Sequence, residues 1–127
     1  MRILVVDDDE SVRGLVRDVL EVEGHEVDVA ADGFAALRRL EACRPDAVVL
    51  DVMMPGLDGY AVLSRIRTSD VGNDLPVVML TAAADDHHAW QAWSGGVDYF
   101  LAKPFEPTEL LDFLDGLDVQ AGSSLAG

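Results

Sequence analysis

Lysine is nearly missing from this chain. Eight of its nine basic residues are Arg, and Lys103 stands alone. Where Arg is used throughout, a single Lys marks a place that wants a compact ammonium. Cysteine is just as scarce: with Cys43 alone, no intrachain disulfide can form, and a reducing compartment is expected. No apolar run approaches the roughly 20 residues of a membrane span, so no membrane association is expected. The start, MRILVVDDDE, has a short apolar stretch followed at once by acids, which is not a leader pattern. The expected location is the cytoplasm. No Walker-type glycine loop is present, so nucleotide use has no support. Positive charge is also in deficit: 24 acids face 9 bases, for a net charge of -15. Direct nucleic-acid binding, which draws its affinity from neutralised phosphates, is not expected. An acidic surface instead suits solubility, cations or a basic partner.

What is present is a regular alternation. At 127 residues the chain fits one domain with one real core. Short apolar runs read as strands at Ile3 to Val6, Val27 to Ala31, Ala47 to Leu50, Val77 to Leu80 and Tyr99 to Ala102. Their hydrophobicity is continuous rather than alternating, as in parallel strands covered on both faces. Between them lie helical patterns. The clearest places Val12, Leu15, Val16, Val19 and Leu20 on one stripe, and Leu110, Phe113, Leu114 and Leu117 repeat that spacing. Weaker versions involve Phe34, Leu37 and Leu40, then Val62, Leu63 and Ile66, then Ala89, Trp90 and Trp93. Asp32, Asp58 and Asp85 stand where N-caps belong, and Pro107 suits a first helical turn. The pattern predicts an α/β fold: a doubly wound, five-stranded parallel sheet with five helices in a three-layer sandwich. The domain is expected over 1–117, with 118–127 as a flexible tail or the start of a linker.

In such sheets ligands sit outside the carboxyl ends of the strands. The first strand ends in Asp7, Asp8 and Asp9, the third in Asp51, the fourth in Thr81 and the fifth in Lys103. Three carboxylates, a hydroxyl and an ammonium would converge on one edge. Two like charges about 4 Å apart repel by about 4 kcal/mol at an effective dielectric near 20. Clustered carboxylates therefore need a raised pKa or a cation. The set is all hard oxygen, with no His or Cys adjacent in sequence, which favours Mg²⁺ or Mn²⁺ over zinc. A phosphate bound there could also use the Thr81 hydroxyl and the Lys103 ammonium.

The segments VVDDDE, VVLDVMMPGLDG, VVMLTA and FLAKPF, in this order and spacing, resemble the receiver domains of bacterial response regulators, the chemotaxis regulators among them. The resemblance runs from about Arg2 to Leu117 and implies the flavodoxin-like strand order 2-1-3-4-5. It implies that Asp51 is the phosphoacceptor, taking its phosphoryl group from a sensor histidine kinase or a histidine phosphotransfer protein. It also implies that Asp8, Asp51 and the Met53 backbone carbonyl ligate Mg²⁺, with Asp7 acting through water. Thr81 and Lys103 would bind phosphoryl oxygens, Phe100 would be the aromatic switch, and the Lys103–Pro104 bond would be cis. Phosphorylation would alter the face of the fourth helix, fifth strand and fifth helix, which a downstream effector reads. On this reading the chain is no enzyme beyond its own phosphorylation and slow dephosphorylation, because Met53 and Ala83 cannot orient an attacking water.

Departures qualify the resemblance. The last helical segment carries no Lys or Arg, unlike receivers that pair through basic residues there, so a monomer or a weak phosphorylation-dependent dimer is expected. Tyr99 stands where an Asp is frequent. His87 and His88 are adjacent and cannot share a helix face, and Trp90 with Trp93 reads as packing. Asp112, Asp115 and Asp118 read as a solvated helix face. Three rivals compete: a phosphatase of the haloacid dehalogenase type, a flavodoxin-like cofactor binder, and a module that has lost phosphorylation. The first needs an acid two residues past its nucleophile, where this chain has Met53. The second needs a Ser/Thr/Gly-rich loop after the first strand, where this chain has acids. The complete residue set argues against the third.

Overall fold

A computed structural model describes residues 1–69, 74–82 and 96–126, with 118–126 described as backbone only. In chain order the elements are β1 (Arg2–Val6), α1 (Glu10–Val22), β2 (Glu26–Ala30), α2 (Gly33–Cys43), β3 (Ala47–Asp51), α3 (Gly59–Thr68), β4 (Val77–Ala82), β5 (Tyr99–Lys103) and α4 (Pro107–Ala126). The strands form one parallel sheet in the order β2-β1-β3-β4-β5, the doubly wound arrangement expected. The helical pattern around Ala89, Trp90 and Trp93, with its cap Asp85 and with His87 and His88, lies outside the described residues, so α4 is the fifth helix of the sequence reading. It continues past Leu117 to Ala126.

Alternation along each strand divides the core in two. Ile3, Val5, Ala47, Val49, Val78, Leu80 and Leu101 meet Val16 and Leu20 of α1 and Leu110 and Leu114 of α4. Leu4, Val6, Val48, Leu50, Val77 and Met79 meet Ala36 of α2 and Val62, Leu63 and Ile66 of α3. With β1 and β3 buried along nearly their whole length, two helical layers enclose the sheet.

The helices begin where expected. Asp32 and Asp58 cap α2 and α3 by accepting bonds from the Ala35 and Ala61 backbone N–H groups, satisfying donors the helix cannot. Asp9 does the same for α1, and Pro107 opens α4. Two helix faces are narrower than their periodicity suggests. Leu15 and Phe34 are exposed, and the inward residues are Val16 and Leu20 in α1 and Gly33 and Ala36 in α2. The reason is geometric: helices packed on a sheet edge bury a narrow face, leaving residues at its margin in solvent. Tyr99 gains a physical account, since its ring stacks on Phe113 of α4 with centroids 5.2 Å apart, a contact an Asp could not make.

A candidate metal and phosphoryl site at the carboxyl edge of the sheet

The same alternation builds the site. Continuing one step beyond the buried pattern Ile3, Val5 in β1 gives Asp7; Val49 leads to Asp51 in β3, and Leu101 to Lys103 in β5. The three charged side chains thus extend the strand face that α1 and α4 cover, at neighbouring strand ends. Asp7 is fully buried and Asp51 nearly so, while Asp8 is exposed.

Lys103 Nζ lies 3.1 Å from Asp7 Oδ2 and 3.2 Å from Asp51 Oδ1, bridging strands that β4 separates. The carboxylates of Asp7, Asp8 and Asp51 each present an oxygen within 4.8 Å of the others. The other Asp7 oxygen accepts the Asp9 N–H at 2.9 Å, and the Asp7 carbonyl accepts from Arg13 Nη1 at 2.8 Å. Both Asp7 oxygens are therefore engaged, which rigidifies the acidic turn.

One ammonium does not balance three carboxylates. Burial pushes the Asp51 carboxyl up, the Asp7 charge pushes it further, and Lys103 only partly opposes them, leaving Asp51 at about 6. Burial draws the Lys103 ammonium down, yet Asp51 and Asp7 outweigh it and hold it above its ordinary value. The residual strain is what a divalent cation would relieve.

Close packing sets the third strand against its helix. A Cβ on Gly59 would collide with the Asp51 carbonyl oxygen, and the Gly59 N–H donates to Val52 O at 2.9 Å. Glycine there lets α3 begin directly beneath the site. Met53 is exposed in the loop that follows Asp51. Thr81 lies on β4 with its neighbour in register, Ala102, on β5. By alternation Thr81 shares a face with Met79, and Phe100, paired with Met79, packs partly buried against the α2–α3 core. The Lys103–Pro104 bond is cis. Ala83 lies outside the described residues.

One cluster escaped the sequence reading. Arg67 of α3 donates to Gly96 O, to Leu75 O and to Asp98, whose carboxylate also accepts the Val77 N–H. It ties α3 to the amino ends of β4 and β5, away from the site. Two arginines, Arg65 and Arg67, flanking the buried Ile66 are its only trace in sequence.

With this geometry in view, the comparisons agree. The model of the response regulator receiver domain matches residues 3–115. Response regulator MprA of Mycobacterium avium (strain 104) is 47% identical over 111 residues, which cover 87% of this chain and 48% of that protein. The chain spans about half the length of the curated relatives it matches. Among solved structures, chemotaxis protein CheY4 of Vibrio cholerae superposes with a TM-score of 0.85 at 33% identity, covering 90% of this chain and 95% of that one. The receiver domain of sensor histidine kinase PA1611 from Pseudomonas aeruginosa PAO1, with a magnesium ion coordinated in its active-site cleft, gives 0.82 at 34% identity, covering 89% and 93%. A parallel sheet carrying acids and one ammonium on its carboxyl edge fits a phosphorylation-type signalling module. The chain belongs to the response regulator receiver domain family of two-component systems.

Proposed function

We propose that this chain accepts a phosphoryl group on Asp51 from a histidine kinase or a histidine phosphotransfer protein, in a Mg²⁺-dependent reaction, and passes the signal to an effector. The observation that carries this reading is the bridge of Lys103 to both Asp7 and Asp51 beside the exposed Asp8. It supports the receiver reading over the phosphatase alternative, as does family membership.

The donor set fits a hard divalent ion: all oxygen, crowded, and under-compensated by its one cation. Asp8, Asp51 and the Met53 carbonyl would hold the ion. Asp7, with both oxygens already engaged, would act through water. Mg²⁺ (or Mn²⁺), when bound, supplies charge neutralisation for the transferring phosphoryl group.

The protein's own groups do the rest. At neutral pH Asp51 is mostly ionised and carries the lone pair that attacks phosphorus. The Asp51 O–P bond forms as the P–N bond of the donor phosphohistidine breaks, and the leaving imidazole keeps its electron pair. Lys103, already on Asp51, shifts to a phosphoryl oxygen, and the Thr81 hydroxyl donates to another. As Thr81 moves toward the phosphoryl group, Phe100, on the same sheet face, turns into the space it leaves and reshapes the face around β5 and α4. The chain turns over no substrate, self-dephosphorylation is slow, and the cytoplasm is the expected setting. Among the described residues no helix is long and apolar enough to cross a membrane.

Incubation with acetyl phosphate and Mg²⁺, followed by intact mass, tests the assignment. Wild type gains one phosphoryl group and Asp51→Asn none. An adduct on both proteins would place the acceptor elsewhere.

A further inference from the structure

The geometry points to a second binding site, a docking groove for an extended acidic segment of a partner protein, along the free edge of β2. This inference does not depend on phosphorylation of Asp51.

Among the described residues β2 is an outermost strand, paired only with β1. Glu26 N–H donates to Met1 O and Ala30 O accepts from Asp7 N–H, so the backbone of Glu26 and Ala30 faces β1. In a parallel ladder the intervening residues turn their N–H and C=O the other way. Val27 and Val29 therefore direct theirs to the open edge. Such an edge is a template for another strand unless something blunts it.

A groove of about 550 Å³ opens at the carboxyl end of this edge, between α1 and α2. Its floor includes Val29, Ala31 and Ala35, and its walls carry Arg13, Arg38 and Arg39. Among the described residues no acidic side chain lines it. A third of the basic residues of a chain with net charge -15 are gathered here. Arg38 and Arg39 are exposed and have no ion-pair partner among the described residues, although acids outnumber bases in the chain. Arg13 already donates to the Asp7 carbonyl, so the groove abuts the acidic turn.

Small alanines leave room for a strand, Val27 and Val29 offer its hydrogen bonds, and the arginines select carboxylates by bidentate pairing. Beyond the Debye length, about 8 Å at physiological salt, the repulsion between two acidic partners is screened, so the local arginines decide.

The test uses the full chain, isotopically labelled for amide NMR, and three probes: a capped peptide alternating Glu and Val over six residues, its Lys–Val counterpart, and inorganic phosphate. The acidic peptide should shift the Val27 and Val29 amides and slow their exchange, and the Lys–Val peptide should leave them unchanged. The double substitution Arg38→Glu with Arg39→Glu should weaken acidic-peptide binding about tenfold or more and favour the Lys–Val peptide. Unchanged Val27 and Val29 amides, equal binding of both peptides, or the same response to inorganic phosphate would each overturn the proposal. Asp51→Asn should bind as wild type does.

Discussion

The two ends of the sheet handle charge in opposite ways. At the amino end two ionic clusters are matched. Arg67 meets two carbonyls and Asp98, Asp98 meets the Val77 N–H, and Arg2 meets Glu26, Asp46 and the Cys43 carbonyl. At the carboxyl end three carboxylates share one ammonium, and Asp51 is left at about 6. The first end is closed and holds the fold; the second is left under-compensated, which is the condition for taking up a cation and then a phosphoryl group. Local stability is given up where chemistry is needed.

Substitutions should separate these ends. The largest effect is chemical: Asp51→Asn should abolish the phosphoryl adduct while Arg67→Ala retains it, read by intact mass after acetyl phosphate. Next comes the closed end. Arg67→Ala leaves the Leu75 and Gly96 carbonyls and Asp98 without their donor and should cost about 2–3 kcal/mol in urea unfolding. A cost under about 0.5 kcal/mol would remove the contrast between the ends.

The open end should respond with the opposite sign. Asp51 has a raised folded-state pKa, so its native form favours the protonated carboxyl, and stability present at low pH is lost as pH rises from about 4 through about 6. Asp51→Asn removes that buried charge. It should stabilise the chain by roughly 2 kcal/mol at pH 8 and by almost nothing at pH 3.5, read from paired melts at the two values. A destabilised Asp51→Asn at pH 8 would mean that Lys103 fully compensates the charge. Smallest is the metal effect. Mg²⁺ at ten times its Kd should add about 1.4 kcal/mol to wild type at pH 8, less at pH 5 where protons compete, and less again in Asp51→Asn.

Much of this was legible in the chain. Continuous apolar runs announced buried parallel strands, Asp32 and Asp58 announced helix starts, and Asp7, Asp51 and Lys103 stood at strand ends where an α/β sheet collects ligands. Leu15 and Phe34 were misjudged because periodicity marks a helix face without saying how wide a strip its neighbours cover. Arg67 was missed because its partners, Leu75, Gly96 and Asp98, lie on other elements, and nothing local in sequence joins them.

What the sequence determined alone was the order of elements, since hydrophobic period and capping act within a few residues, and which chemical groups would end the strands. What only tertiary structure decided was their meeting. Lys103 and Asp7 stand at opposite ends of the chain, and their 3.1 Å contact exists because the crossovers set β1, β3, β4 and β5 side by side in one register. The elevated pKa of Asp51 follows from that placement too, because burial and a neighbouring carboxylate are properties of the folded neighbourhood.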